Sequence, residues 1–203
     1  MNYRLLDASD EADAKRLHRK ARRVNNPADP SIIIGIQMLK KIAHEWEAKN
    51  NQRCEGLEAT QIGWNASVLI VRKNDHMIPP KYIDEIDLGD RVLHTDNPEF
   101  KKYLKVANIF NAWYTIINPS IKEQIGIVES VEGCLSVPGS SYVVTRPEEL
   151  KFQFTLPTGQ RSDLLSVKGF SAAALSHEID HLLGKIISDN PLRVYVGETG
   201  ALL

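Results

Sequence analysis

Hydrophobic and polar residues alternate along the second half of the chain with the two-residue period that is typical of β-strands. Apolar side chains stand at every second position from Leu150 to Leu156, and a turn signal at 157–160 follows directly. Further short apolar runs lie at 67–71, 113–117, 142–145 and 164–167. We therefore predict a series of short strands that are antiparallel in the second half of the chain.

A period of three to four residues marks a first long helix. Its apolar stripe should cover the sheet, and Ser31 is expected to cap its start. The stripe consists of Ile32, Ile36, Leu39, Ile42, Ala43 and Trp46.

A second helix is predicted near the C-terminus. Leu175, Ile179 and Leu182 recur at the spacing of one helix face, Ser171 offers a capping hydroxyl, and Gly184 marks the end. Together the elements predict an α+β fold in which antiparallel or mixed sheets pack around this long C-terminal helix.

Length and composition favour a single domain over residues 1–203. The chain has 203 residues, of which 42% are hydrophobic, and this is enough for one substantial core. Residues 74–107 interrupt the strand pattern with Pro79-Pro80 and other breakers, and we interpret them as a surface insertion. A small helix is expected within it, from Asn97 through Leu104.

Charge and hydropathy exclude several classes of partner. The net charge of −1 provides no field that would attract DNA or an anionic membrane, and no run is long enough for a membrane-spanning helix. The N-terminus lacks the pattern of a signal peptide, so we expect a cytoplasmic protein. A basic cluster at 12–23 is expected to be a solvated face, with a transient contact to the ribosome as the alternative.

The segment His177-Glu178-Ile179-Asp180-His181 places two imidazoles four residues apart on the second predicted helix. Side chains at i and i+4 share one face, so His177 and His181 can bind one metal ion while Glu178 acts beside them as a general base. This pattern indicates a metal hydrolase. The alternative is a set of hydrogen-bonded structural residues, which a third ligand elsewhere would disfavour.

The third ligand is indicated by Glu132-Gly133-Cys134-Leu135-Ser136. With this segment the chain resembles the peptide deformylase family, whose motifs follow the same order: a Gly-Leu-Ala-Ala-x-Gln loop, EGCLS and HExDH. The last two motifs are intact, and the first is partly kept at 54–63. The resemblance implies removal of the N-formyl group from the formyl-methionine of nascent peptides, with Cys134, His177 and His181 as metal ligands.

One thiolate and two neutral imidazoles leave a fourth metal position open, as catalytic sites do. The resemblance implies Fe²⁺ as the native metal, whereas Zn²⁺, Ni²⁺ or Co²⁺ suit the same ligands. It also implies that the Gln61 side-chain amide and the Leu135 backbone N–H stabilise the oxyanion. Asp180 is expected to orient one of the two histidines or an adjacent backbone group.

Substrate-binding residues follow from the same resemblance. Gly56 should allow close approach between the backbone of Leu57 and the substrate. An ordinary turn glycine, and core positions for the other residues, are the alternatives. The expected pocket walls and rim are Phe170, Ala173, Ala174, Glu132 and Gly133.

Four positions depart from the family pattern. Cys54 replaces a Gly, Glu55 an apolar residue, Glu58 an Ala, and Ser176 a Gln. A carboxylate at position 55 or 58 would repel an anionic intermediate, pair with a basic side chain, or point outward. Cys54 is interpreted as a small buried residue, and a disulfide with Cys134 is not expected because the cytoplasm keeps thiols reduced.

Two rival functions remain open at the level of sequence. A zinc peptidase or another amidase would need its third ligand downstream of the helix, where Asp189 and Glu198 are the available carboxylates. A deformylase-like protein could also bind formylated peptides or another partner without turnover. A metal assay followed by a deformylation assay distinguishes the three.

Overall fold

The computed structural model describes residues 3–72, 78–87, 92–106, 112–196 and 201–202. The helices are α1 (Glu11–Leu17), α2 (Pro30–Asn50), α3 (Phe100–Val106) and α4 (Phe170–Leu182), with 3-10 turns at Ala59–Ile62 and Pro80–Tyr82. The strands are β1 (Gly56–Glu58), β2 (Val68–Arg72), β3 (Glu85–Asp87), β4 (Val92–His94), β5 (Ala112–Ile125), β6 (Val128–Cys134), β7 (Val137–Arg146), β8 (Glu149–Thr155), β9 (Leu165–Lys168), β10 (Arg193–Val196) and β11 (Ala201–Leu202). The predicted α+β fold is confirmed.

Two sheets organise these strands. In the larger, seven-stranded sheet, the first half of β5 pairs with β2 and β3, and its second half pairs with β8. β1, β4 and β9 extend this sheet beyond β2, β3 and β8. The smaller sheet has the order β11-β10-β7-β6, so β6 forms one of its edges. Every pairing between the described strands is antiparallel.

The strand predictions succeed where side chains are buried. The runs at 67–71, 150–156 and 164–167 are confirmed within one residue as β2, β8 and β9. β5 and β7 continue beyond the predicted 113–117 and 142–145. The sequence does not predict these extensions because they are mostly polar and less buried than the predicted parts. β6 was not predicted for the same reason, since most of its side chains face solvent and leave no apolar pattern.

α2 begins at Pro30, and Asp29 is its N-cap. The Asp29 carboxylate accepts a hydrogen bond from the backbone N–H of Ser31 at 2.9 Å. The prediction that Ser31 caps the helix is therefore wrong, because Pro30 fits the first helical position, where no N–H is needed, and the cap lies two residues earlier than predicted. The predicted stripe is confirmed by residues such as Leu39 and Ala43, which are fully buried.

α4 begins after Gly169, which offers no side chain for capping. Ser171 lies inside the first turn and is buried, so its predicted capping role is wrong. Gly184 follows the helix with a φ of 76°, a left-handed conformation that glycine adopts without strain, and this confirms the predicted stop.

The two long helices cover opposite faces of the larger sheet. Val68 and Ile70 of β2 belong to the apolar core beneath α2, whereas Leu69 and Val71 belong to the core beneath α4. This alternation follows from the two-residue period of a strand. No helix in the described ranges combines the length and apolar content needed to cross a membrane.

The segment interpreted as a surface insertion contributes to the core. In its described parts, 78–87 and 92–106, the strand β3 pairs with β5, and Ile86, Leu93 and Phe100 are buried in the core beneath α4. The interpretation of this segment as surface is thereby corrected. Its small helix is present as α3, which begins three residues after Asn97. The remaining positions, 74–77, 88–91 and 107, lie outside the described residues.

Candidate active site

Three predicted metal ligands converge where the edge strand β6 meets α4. Cys134 ends β6, and His177 and His181 lie one turn apart on α4. Cys134 Sγ lies 3.3 Å from His181 Nε2, which in turn lies 3.1 Å from His177 Nε2. The three ligand atoms lie within 4.8 Å of one another, and at most 9% of each residue is exposed.

Two of the three separations are close to those around a tetrahedral metal ion. Metal–sulfur and metal–nitrogen bonds of about 2.3 and 2.05 Å would place the two nitrogens about 3.3 Å apart and sulfur and nitrogen about 3.6 Å apart. Burial raises the pKa of the Cys134 thiol to about 12, so a thiolate here requires a cation to stabilise it. Burial also lowers the pKa of His181 well below its usual value, which keeps the ring neutral, as a ligand must be.

Glu132 and Arg146 hold His177 in place. Glu132 Oε2 accepts a hydrogen bond from His177 Nδ1 at 2.9 Å, which leaves the lone pair of Nε2 directed at the cluster. Arg146, at the end of β7, donates to both carboxylate oxygens of Glu132 at 2.8 and 2.7 Å. Burial alone would raise the pKa of Glu132, but the hydrogen bonds from Arg146 and His177 outweigh it and lower the pKa to about 2.

Arg146 was missed from the sequence, and the contacts of Asp180 were predicted wrongly. Asp180 was expected to orient a histidine or a backbone group, yet its Oδ2 accepts a hydrogen bond from Arg146 Nη1 at 2.6 Å. It therefore reaches His177 only through Arg146 and Glu132. The signal available in the sequence was the position of Arg146, a cation that directly follows the apolar run at 142–145. The structure shows that this position is buried.

Glu178 faces the same cavity from α4. It is 6% exposed, and its Oε2 has no hydrogen-bond partner among the described residues. Burial raises its pKa well above the usual value, and the nearby carboxylates of Glu58 and Glu132 act in the same direction. Gly56 makes room for it, because a Cβ at that position would lie 2.6 Å from Glu178 Oε1.

Gln61 and Leu135 flank the cluster on the side of the first motif. Gln61 lies in the 3-10 turn at Ala59–Ile62 and is 1% exposed. Its Nε2 lies 3.3 Å from Ser136 Oγ and 3.7 Å from Cys134 Sγ. Leu135 lies in the tight turn between β6 and β7 and lines the cavity.

A cavity of about 670 Å³ opens onto Cys134, His177 and Glu178. The strand β6, the helix α4 and the C-terminal end of α2 contribute its walls. Leu57, which was predicted to bind substrate, does not line it with its side chain, because that side chain is fully buried in the core beneath α2. The other predicted substrate-binding residues all line it: Gly56, Glu132, Gly133, Phe170, Ala173 and Ala174.

Comparison with known proteins decides the family. The family model described as polypeptide deformylase matches residues 7–193. The chain belongs to this family. It is 31% identical over 171 residues to the peptide deformylase of Thermus thermophilus, which corresponds to 83% of this chain and 73% of that protein. It is 30% identical over 175 residues to the peptide deformylase of Rickettsia akari, covering 86% of this chain and 81% of the relative.

A solved structure supports the same assignment. The crystal structure of peptide deformylase from Ehrlichia chaffeensis matches 90% of this chain with a TM-score of 0.62 and 26% identity, and 84% of that chain is covered. The enzyme is therefore a hydrolase that removes the N-formyl group from nascent peptides, and the family is metal-dependent.

The structure shows the surroundings of the four residues that depart from the family pattern. Glu55 pairs with Arg53 at 3.1 Å, which is one of the arrangements considered from the sequence. Glu58 is fully buried, and its carboxylate accepts hydrogen bonds within the first motif, which is none of the three arrangements expected from the sequence. Ser176 donates its hydroxyl to the carbonyl of Ala172 at 2.7 Å. Cys54 is a free, fully buried thiol, and Cys134 is also free.

The downstream carboxylate that a peptidase would require is engaged elsewhere. Asp189 Oδ1 lies 3.1 Å from His18 Nε2, and its Oδ2 accepts a hydrogen bond from the backbone N–H of Ile186. Glu198 lies outside the described residues. Of the groups of potential metal ligands in the described ranges, only Cys134, His177 and His181 converge.

Proposed function

We propose that Cys134, His177 and His181 bind one divalent metal ion, at which Glu178 moves the proton during hydrolysis of a formyl group. The observation that carries this proposal is the convergence of one sulfur and two Nε2 atoms, two of whose residues line the cavity, beside a buried carboxylate. A bound divalent cation supplies Lewis acidity, which lowers the pKa of water from about 15.7 towards about 7.

Glu178 is positioned to take and return a proton without binding the metal. Its side chain points about 100° around the helix from that of His177, and its Oε2 has no partner among the described residues. Burial favours the protonated form of a carboxyl group. A group that accepts a proton readily in this position can later deliver it to the leaving amine.

Gln61 and Leu135 are proposed to stabilise the negative charge that develops on the formyl oxygen. The Gln61 Nε2 lies 3.7 Å from the Sγ of a proposed ligand, and Leu135 lines the same part of the cavity. Removal of one such donor costs about 10²–10³ in rate in other hydrolases. The loss should appear in kcat, because the charge exists only in the transition state.

Formyl-methionine is the substrate that we propose for the cavity. A formyl carbon carries only hydrogen, so it needs less space beside the metal ligands than a longer acyl group does. Phe170, Ala173 and Val131 supply apolar wall to the same cavity, which suits an unbranched thioether side chain. Glu132 and Gly133 lie on the same edge strand.

The native metal is proposed to be Fe²⁺, as family resemblance implies, with Zn²⁺, Ni²⁺ and Co²⁺ able to bind the same residues. A set of one thiolate and two imidazoles suits all four ions. Anaerobic purification followed by metal analysis identifies the ion. Zinc alone in such preparations, with full activity, would contradict the iron proposal.

We also propose that the enzyme acts in the cytoplasm and contacts the ribosome transiently. Arg19, Lys20, Arg22 and Arg23 are all exposed. Their segment is held in place because the Ala21 N–H donates to the Leu182 carbonyl at 2.8 Å. Sedimentation with ribosomes should therefore weaken at high salt, since phosphate contacts are salt-dependent. If a variant with Arg22→Glu and Arg23→Glu sedimented with ribosomes as well as the parent does, this contact would be contradicted.

A metal assay followed by a turnover assay tests the proposed function. The purified chain should bind about one metal ion and hydrolyse formyl-Met-Ala-Ser, and Cys134→Ala should lose both properties. Cleavage of unformylated peptides would favour a peptidase. Binding of the formylated peptide without formate release would favour a protein that lacks turnover.

A further inference from the structure

Glu58 is a buried acid that the proposed mechanism does not use. It stands where the family pattern has an Ala, and no part of its side chain is exposed. No lysine or arginine among the described residues is paired with it, and it makes its contacts within the first motif. The carboxylate therefore neither faces solvent nor forms an ion pair.

Its two oxygens accept hydrogen bonds from the residues that follow it. Oε1 accepts from the Gln61 backbone N–H at 2.7 Å and from the Thr60 hydroxyl at 2.6 Å. Oε2 accepts from the Thr60 backbone N–H at 2.6 Å. Glu58 thus caps the 3-10 turn Ala59–Ile62, whose first N–H groups have no partner within the turn.

The capping is reciprocal and fixes the Gln61 side chain. Gln61 Oε1 accepts a hydrogen bond from the Glu58 backbone N–H at 3.1 Å. Because a backbone N–H can only donate, the atom that faces it must be the amide oxygen. The amide nitrogen is therefore directed the other way, towards Ser136 Oγ and Cys134 Sγ.

We infer that Glu58 is a positioning residue, which holds the Gln61 amide with its nitrogen directed at the formyl oxygen. This inference rests on the proposed role of Gln61. An Ala at position 58 would keep the backbone N–H that holds Gln61 Oε1, but it would leave the backbone N–H groups of Thr60 and Gln61 without their acceptor. The 3-10 turn that carries the amide would then lose its cap, and the amide would shift with the turn. A donor that is misplaced by about 1 Å can lose about 10² in rate.

Three variants of Glu58 test this inference. Glu58→Ala removes the cap, Glu58→Gln places an NH₂ group against a backbone N–H, and Glu58→Asp keeps both carboxylate oxygens at an N-cap position where Asp is favoured. Ala and Gln should lower kcat about tenfold with KM changed less than about threefold, because the affected charge exists only in the transition state. Asp should restore most of kcat, and metal content should stay the same in all three. Glu123→Gln, on the exposed part of β5, is the matched control.

A double-mutant cycle with Gln61→Ala separates positioning from general stability. If Glu58 acts through Gln61, then Glu58→Ala should cause little further loss of kcat in the Gln61→Ala background. The same fold loss in both backgrounds would overturn the inference and leave the role of Gln61 intact. Unchanged kcat in Gln61→Ala alone would overturn both that role and the inference. If Glu58→Ala does not fold, the comparison of Gln with Asp at position 58 decides in the same way.

Discussion

At the scale of single residues, the Glu178 side chain has room only because residue 56 is a glycine. Gly56 lies so close that a Cβ there would meet Oε1, Cγ and Cδ of Glu178 at 2.6, 2.8 and 2.9 Å. Such contacts are too short for real Cβ atoms, so the carboxylate would have to move. Gly56 is therefore a steric requirement of the site rather than an ordinary turn residue.

Gly56→Ala should displace Glu178 while leaving the metal ligands in place. We expect kcat to fall by about 10²-fold, because a shift of about 1 Å in a catalytic group has that effect. Steady-state kinetics together with metal analysis checks this prediction. Activity within a factor of about three of the parent would show that Glu178 tolerates the added methyl group.

At the scale of secondary-structure elements, buried ion pairs join the parts that carry the site. Arg146 on β7 binds Glu132 on β6 and Asp180 on α4, so one guanidinium ties both sides of the ligand cluster together. A similar group lies between α2 and the larger sheet. There Lys40 of α2 reaches Asp84 at 2.8 Å and Glu85 at 3.2 Å.

Arg146→Ala should destabilise the fold and weaken metal binding. It would leave Glu132 buried without its main partner, and breaking a buried pair costs about 3–5 kcal/mol. Loss of the support for His177 should lower metal affinity about 10–100-fold. Chemical denaturation and metal titration measure both quantities. Asp180→Ala, which removes the more exposed partner, should have the smaller effect on both.

Glu85 should make stability depend on pH. Burial would raise its pKa, but the hydrogen bond from His44 and the charges of Lys40 and His94 outweigh burial and lower the pKa below 4.5. Its ionised form is then favoured by folding, so its contribution is fully present above about pH 4.5 and is lost as the pH falls through the folded-state value. Asp84 competes for Lys40 in the same cluster.

Comparison with Glu85→Gln isolates this contribution. The parent should be more stable than the variant above about pH 4.5, and the difference in free energy of unfolding should shrink as the pH is lowered further. Denaturant titrations between about pH 3 and 7 provide the measurement. A difference that stays constant across this range would contradict a depressed pKa of Glu85.

At the scale of the whole molecule, the sequence predicted the fold class and the three residues whose ligand atoms converge in the structure, because both depend on local patterns. The motifs at 132–136 and 177–181 carry Cys134 and the histidines, and buried strands and helices show their period directly. β6 could not be predicted because its side chains are mostly exposed. The contacts of Arg146 and Glu58 depend on atoms brought together by folding, and sequence alone contains no signal for their orientation.

The central claim is that Glu178 moves protons beside a metal ion held by Cys134, His177 and His181. The most direct measurement compares the parent with Glu178→Ala, each purified anaerobically under the same conditions. Bound metal and deformylation of formyl-Met-Ala-Ser are measured for both proteins. We expect both proteins to contain about one metal ion and the variant to lose nearly all of kcat, since general acid–base catalysis contributes about 10²–10⁴-fold. Turnover by Glu178→Ala within a few-fold of the parent, with metal content unchanged, would contradict the account.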